Sequence, residues 1–504
     1  MSLMGIDVGT TGCKAAAYSD AGVCLGGAYR EYPTLRPAPL WAELDSRAVF
    51  DAVCDCVAET AVLAAKDPVT ALCVSSMGEA VTPVSADREI LGNSILSSDL
   101  RGAEYTERLV RELGVESFYE INSNIPAPNY SLPKLLWTRE HMPALFDRAW
   151  KFLLWGDLVG FMLGAAPVTG HSLANRTLLF DISREDWSDP LLAWAGIPRE
   201  KLPACVPAGT VSGTISGAMA ERTGLPKGTA VVAGGHDQCC AALGAGVCAP
   251  GRAICGLGTI ECVTPVFSPM PPAGEMLARG LGVEHSLLPG QYVSFIYNQS
   301  GVLVKWFRDC FARNEGEIPD GDLYGALMAE MPAEPTGLMV LPHFDVTGAP
   351  GYITDSAGVI TGLRTDTRRG EILKALIEGA AFWFVEPVEG LRVLGVDTSE
   401  LVATGGGAKS DAWLQIKADI FGVPIVRPRV TECGVLGAAM LAGMASGAFK
   451  SASEAVECLV RRDRVFEPDP ARHTLYRERH ALWRGLYPAL RETLRAQGEW
   501  ASRP

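Results

Sequence analysis

The chain is poor in the features that bind metals, span bilayers or grip nucleic acid. Its fourteen cysteines include no Cys-x-x-Cys pair, which removes the usual zinc and dithiol signatures. Cys54/Cys56, Cys239/Cys240 and Cys433 read instead as small core thiols of a reducing cytosol. Only seven histidines are present, none at ligand spacing from another. Positive charge is short as well: 44 Lys and Arg against 58 Asp and Glu leave a net charge of -14, which argues against nucleic acid and anionic membranes as partners. The longest nearly polar-free run, Val435–Phe449, has 15 residues. That is short of the ~20 a bilayer span requires, so it reads as a buried helix. The opening residues hold no basic region and meet Asp7 too early for a signal peptide, so a cytoplasmic location is expected. Neither a Walker A loop nor a Gly-x-Gly-x-x-Gly fingerprint occurs.

What is present is the composition of a globular enzyme, 48% apolar and 20% charged over 504 residues, long enough for two or three domains. Strand-like and helix-like segments alternate throughout, which indicates an α/β architecture. Strands are expected at Leu3–Val8, Cys13–Tyr18 and Val23–Arg30, followed by a Pro-bearing loop and a helix over Ser46–Ala65. From about Ala249 the pattern restarts: "GRAICGLGTIECVTPV" is again strand, Gly-Thr turn, strand, before a Pro-rich loop over Pro265–Pro272. Gly9-Thr10 lies 249 residues before Gly258-Thr259, and Cys13 the same distance before Cys262, which suggests two related domains, 1–245 and 246–504. In the tail, Leu475, Leu482, Leu486, Leu490 and Leu494, with Tyr476 and Trp483, recur at helical spacing. They predict a packing helix that Pro488 kinks or divides, within helices that begin at about 453.

Asp7 closes an apolar strand beside a glycine turn and two threonines, and a charge there needs a partner. A turn residue or a metal ligand both fit. In the overlay Asp7 corresponds to Gly256, so two Gly-Thr hairpins would share one carboxylate, an arrangement suited to a polyphosphate and its cation. In "VVAGGHDQCCAALGAGV" a β-branched run ends in two glycines, then His236 and Asp237, then a helix of small residues. Asp237 is either an N-cap or the acceptor of a substrate hydroxyl proton, and the two are compatible. His236 reads as a turn or supporting residue. "ATGGGAKSDAWLQ" sets three glycines between a strand and a helix over Asp411–Phe421, which either receives part of a nucleotide or packs strand on helix. Glu79, in "VSSMGEAVTP", either binds sugar hydroxyls or faces solvent.

Taken in order, "GIDVGTTGCKAAAYSDAG", "LWAELD", "GGHDQCCAALGAG", "GLGTIECV", "SGVLVKWFRD", "ALIEGAAFWF", "ATGGGAKSDAWLQIKADIFGVPI" and "TECGVLGAAMLAG" resemble the FGGY carbohydrate kinases from Gly5 to about Gly443. The resemblance implies two actin-like (ribonuclease H-like) ATPase domains with a deep cleft, in which ATP, Mg²⁺ and a small sugar or polyol meet. By that likeness Asp237 matches the catalytic base and Asp7 the residue holding Mg²⁺. Thr10, Thr11 and Lys14 match the phosphate-facing hairpin, with Gly258 and Thr259 as its counterpart. Gly301, Val304 and Lys305 match a segment lining the nucleotide, and Gly406, Gly407 and Ser410 the loop around adenosine. A homodimer is what relatives suggest.

The substrate side departs from the family. Xylulokinases usually carry Met-His-Gly where this chain has Met77-Gly78-Glu79, and the Arg-Glu neighbours of glycerol kinases are missing, although Asp237-Gln238 looks like their Asp-Gln. A tryptophan common before Asp-x-Arg is replaced in Ser97-Ser98-Asp99-Leu100-Arg101. "HSLANRTLLFDI" offers Asn175 and Arg176 to the ligand. The expected activity is phosphorylation of a ketopentose such as xylulose or a similar ketose. A polyol or glycerol-type kinase is the alternative, and a non-catalytic sugar or ATP sensor the reading from another class.

Overall fold

The computed structural model describes residues 2–312 and 320–501. Two mixed sheets of one plan organise them. In the first, Ser2–Val8, Gly12–Ser19 and Cys24–Glu31 form an antiparallel meander. Val69–Ser76 and then Ala230–His236 add parallel strands on the other side of Ser2–Val8, and Val211–Thr214 closes that edge antiparallel. In the second, Gly251–Leu257, Ile260–Phe267 and Ile296–Gln299 form the meander. Thr398–Thr404 and Ile425–Pro428 are its parallel strands, and Arg462–Phe466 is the antiparallel edge. The second sheet repeats the meander and the two parallel strands of the first, and extends beyond it through Tyr292–Val293 and Glu284–His285.

Burial follows from position in the sheet. Val69–Ser76, flanked by parallel neighbours, is buried at almost every residue, whereas the edge strand Cys24–Glu31 alternates between exposed and half-buried. Register corrects the sequence overlay by one residue. Val8 faces Cys13 across the first hairpin, but Leu257 faces Glu261 across the second. The second loop is one residue shorter, so Glu261 rather than Cys262 takes the place of Cys13. The Pro-rich loop also starts later than expected, because Pro265 stays within the strand opposite Ala253. It falls between the residues that pair with Ile296 and with Val293, where no ladder bond from its nitrogen is needed.

The two halves are joined by the helix Cys433–Ala445, hydrophobic all round and buried along most of its length. It lies against both Ser2–Val8 and the helix Asp237–Gly244. Glycines allow the approach. A Cβ on Gly5 would overlap the Val435 carbonyl, one on Gly244 the Cys433 carbonyl, and one on Gly437 the Cys240 carbonyl. The tail divides into Pro470–Trp483 and Leu486–Ala501, but the break falls at Arg484–Gly485. Pro488 sits in the first turn of the second helix, where its missing N–H costs nothing. Tyr476, Trp483 and Leu494 face the core of the second half, while Leu475 and Leu482 are exposed. No described helix is long and apolar enough to cross a membrane.

Gly437→Ala tests the joint. Alanine gains about 1 kcal/mol over glycine within a helix, but the backbone overlap at Cys240 costs about 1–3 kcal/mol or more. We expect a net fall in the thermal unfolding midpoint, measured by circular dichroism.

Candidate active site

Asp7 ends the central strand of the first sheet, in register with Ser75 on one side and Lys14 on the other. Ser75 Oγ donates to Asp7 Oδ1 at 2.6 Å. Lys14 Nζ turns to Glu432 Oε2 at 2.5 Å, at the start of the joining helix. Gly434, in the first turn of that helix, leaves open a position 3.3 Å from the Asp7 carboxylate that a Cβ would fill. Burial raises the pKa of Asp7, the Ser75 bond and Lys14 oppose the shift, and Glu432 adds to it. A desolvated carboxylate with one hydrogen bond and an open space beside it fits a cation ligand, because a bound cation offsets the penalty that raises its pKa.

Asp237 begins the helix that follows Ala230–His236, and the N-cap position falls on His236, whose side chain makes no capping bond. The capping role considered for Asp237 is therefore not used, and its carboxylate keeps 34% of its surface open. Desolvation and the charge of Asp7 push its pKa to about 7, against a backbone hydrogen bond at Gln238 and the charge of Arg176. His236 Nε2 lies 3.3 Å from Asp237 Oδ1, and its ring packs on Phe295 with centroids 5.1 Å apart. Desolvation, then Arg176, holds His236 well below its ordinary pKa, so the ring is neutral. A carboxylate titrating near 7 can accept a proton from a hydroxyl at physiological pH.

Of the predicted nucleotide residues, Gly258, Gly301 and the Gly-rich loop are neighbours in the second half. Thr10 and Thr11 are exposed at the tip of the first hairpin, which Tyr32 Oη pins through the Gly9 carbonyl at 2.6 Å. Gly258 and Thr259 form the exposed tip of the second. Gly301 opens the helix Gly301–Phe311, and its N–H donates to the Gly258 carbonyl at 3.1 Å. Only glycine fits, since a Cβ there would overlap the same carbonyl. Gly405 and Gly407 pack on Leu257, immediately before that tip, while Gly406 meets nothing within 4 Å. Ser410 caps the helix Asp411–Phe421 by accepting from Trp413 N–H at 3.3 Å. Val304 is buried and Lys305 exposed on its helix. The buried Ser300 Oγ and Gln299 Oε1, next to Gly301, have no partner among the described residues. Exposed Gly-Thr tips, an open glycine and unpaired polar atoms suit a polar ligand such as a nucleotide.

On the other side of Asp237, Arg176 is buried over the rings of Tyr130 and Phe295. It pairs with Glu79 and, at 2.6 Å, with Glu284. Glu79 does not face solvent. Arg176 Cγ and the His236 ring crowd Gly78, where any Cβ would come within 3.1 Å of both. Met77 is buried and donates its N–H to the Val8 carbonyl at 2.9 Å. Asn175 is also buried, and its amide is spent on the Asn122 carbonyl and on His285 N–H, so its side chain is engaged within the protein. Gln238 reaches across to Gly256 of the second sheet, where a Cβ would lie 3.9 Å from its Oε1. The narrow pocket next to Arg176 is lined by both halves: Asn124, Tyr130 and Arg176 face Glu284, Phe295 and Tyr352.

Family models for the FGGY family of carbohydrate kinases match this chain at both ends, the N-terminal domain over residues 2–244 and the C-terminal domain over residues 264–446. The chain belongs to the FGGY family of carbohydrate kinases. It is 28% identical to the xylulose kinase of Bacillus subtilis over 96% of each chain, and 30% identical to the glycerol kinase of Citrifermentans bemidjiense over 98% of each. The crystal structure of xylulose kinase from Rhodospirillum rubrum superposes with a TM-score of 0.89 at 27% identity, covering 98% of this chain and all of that one. It is an actin-like α/β carbohydrate kinase.

Reading this FGGY kinase as sequence alone missed several residues of the site. Glu432 begins "TECGVLG", but nothing in the order of residues ties it to Lys14. Ser75 joins the site only through its parallel register with Asp7. Arg176 and Glu79, 97 residues apart, form an ion pair that no local pattern foretells. Glu261 was missed too. Wholly buried in the second hairpin, it pairs with Lys417 of the helix that Ser410 caps, which fastens the hairpin beneath the Gly-rich loop. Lys417→Met strands the Glu261 charge and is expected to cost about 3–5 kcal/mol. Adding Glu261→Leu should restore most of the lost thermal stability, read by differential scanning calorimetry of both variants.

Proposed function

We propose that this FGGY kinase, with Mg²⁺, transfers the γ-phosphoryl group of ATP to a hydroxyl of a small neutral sugar, a ketopentose such as xylulose or a similar ketose. The observation that carries the reading is the Asp237 carboxylate, titrating near 7 and open to the seam beside Asp7. The acceptor oxygen attacks the γ-phosphorus, the bond to the β,γ-bridging oxygen breaks, ADP leaves, and Asp237 takes the hydroxyl proton late in transfer. His236, neutral and packed on Phe295, keeps that carboxylate in place without adding charge. Arg176 and Glu79, from different segments, orient acceptor hydroxyls.

Asp7 is the residue that would hold the metal, which when bound neutralises charge on the β- and γ-phosphates. Lys14 and the hairpins at Thr10, Thr11, Gly258 and Thr259 hold the phosphates. Gly301, Val304, Lys305, Gly406, Gly407 and Ser410 surround the nucleoside, and Met77, Gly78 and Gln238 complete the acceptor side. The division at 245/246 assigns proton acceptor and sugar contacts to one domain and nucleoside contacts to the other. The fourteen cysteines are all free, which supports a cytoplasmic setting. A glycerol-type acceptor is the second reading, favoured by Asp237-Gln238 together with the spatial Arg176–Glu79 pair.

ADP release from Mg·ATP across ketopentoses, ketohexoses, polyols, aldonates and glycerol decides between them: one class should stimulate the wild type strongly. Asp237→Asn is expected to lower kcat about 10²–10⁴-fold with little change in either KM. Stimulation that survives this substitution contradicts the assignment. Ionised Asp237 is the active form, so kcat/KM should fall about tenfold per unit of pH below an inflection near 7. A carboxyl raised from 3.8 to about 7 loses folding stability as pH climbs through that window. Asp237→Asn should therefore melt higher than the wild type at pH 8.

A further inference from the structure

We propose that His171, Glu185 and His285 form a second cation site, a zinc-type site that ties the strand Glu284–His285 to the first half of the chain. One nitrogen of each imidazole and one carboxylate oxygen of Glu185 lie within 4.8 Å of one another. Bonds of about 2.0–2.2 Å to zinc set tetrahedral ligand atoms roughly 3.3–3.5 Å apart, so the three side chains must draw together to bind it. Two imidazoles and a carboxylate leave a fourth position for water, a donor set that zinc commonly takes. A groove lined by His171, Glu185, Pro207, Ala208, His285 and Leu288 gives access.

The ligands come from three segments that are remote in sequence, which is why no spacing revealed them: the helix His171–Asn175, the hairpin Phe180–Trp187 and the strand Glu284–His285. Glu185 holds φ at 54°, the left-handed conformation that hairpins usually give to glycine or asparagine. From there its Oε1 stands 3.8 Å from His285 Nε2. Coordination through this nitrogen requires it to give up its contact with the Ile182 carbonyl, 3.1 Å away. His285 follows Glu284, which pairs with Arg176, and its own N–H donates to Asn175 Oδ1 at 3.2 Å. A cation here braces the wall of the acceptor pocket from behind, whichever acceptor the enzyme takes.

The test is a Co²⁺ titration of metal-stripped, full-length Asp7→Asn protein, in which the carboxylate assigned to the catalytic metal is gone. We expect one Co²⁺ per chain, with visible d–d bands, no near-ultraviolet thiolate charge-transfer band, and displacement by Zn²⁺. Glu185→Gln, whose side chain is half exposed, should weaken binding roughly tenfold or more, and His171→Gln should abolish the bands. Zinc should raise the melting temperature of the parent but not of Glu185→Gln. No saturable uptake, a thiolate band, or binding indifferent to Glu185→Gln overturns the proposal.

Discussion

Close approach of backbone to backbone around Cys433–Ala445 is the constraint on which the candidate active site depends. Gly5, Gly244 and Gly437 let this helix sit against a strand of the first sheet and against the helix that starts at Asp237. Its first turn consequently reaches Asp7 through Gly434 and Lys14 through Glu432. Side chains at those glycines would move the helix outward and open the seam to water. Protein interiors respond to such changes as packed solids, so a shift here would carry through to every group that the helix positions.

The same closeness produces the electrostatics. Asp7 and Asp237 lie on different elements, yet each is desolvated and Asp7 raises the pKa of Asp237. This is costly for stability and useful for chemistry, the trade expected where a group must exchange a proton near neutrality. Arg176 answers the opposite need. Its charge is buried but held between Glu79 and Glu284, so the proposed acceptor pocket gains polar groups of fixed position.

Much of this was legible in the sequence because it is local. The hairpin strands, the strand Val69–Ser76 and the helix Asp411–Phe421 follow from apolar patterning and from glycine and serine at their ends. The repeat was legible as well, apart from a one-residue loop difference that only strand register reveals. Contacts between distant segments were not legible. Arg176 with Glu79, Lys14 with Glu432, and Glu261 with Lys417 join residues from 97 to 418 positions apart. Each pairing is fixed by which strands and helices become neighbours, and no local pattern encodes it. Asp237 shows the same limit. Its position before a helix suggested a cap, but the turn placed His236 at the cap, and the Asp237 carboxylate lies instead beside the His236 ring and the Gln238 backbone.

Asp7 and Asp237 share one seam, and the charge of the first raises the pKa of the second. Carbon-13 NMR titration of aspartate-labelled, metal-free protein measures this directly, with the Asp237 resonance assigned from Asp237→Asn. The account predicts an Asp237 pKa near 7 in the wild type and a lower value in Asp7→Asn. A wild-type value close to the ordinary 3.8, or one unmoved by Asp7→Asn, would contradict it.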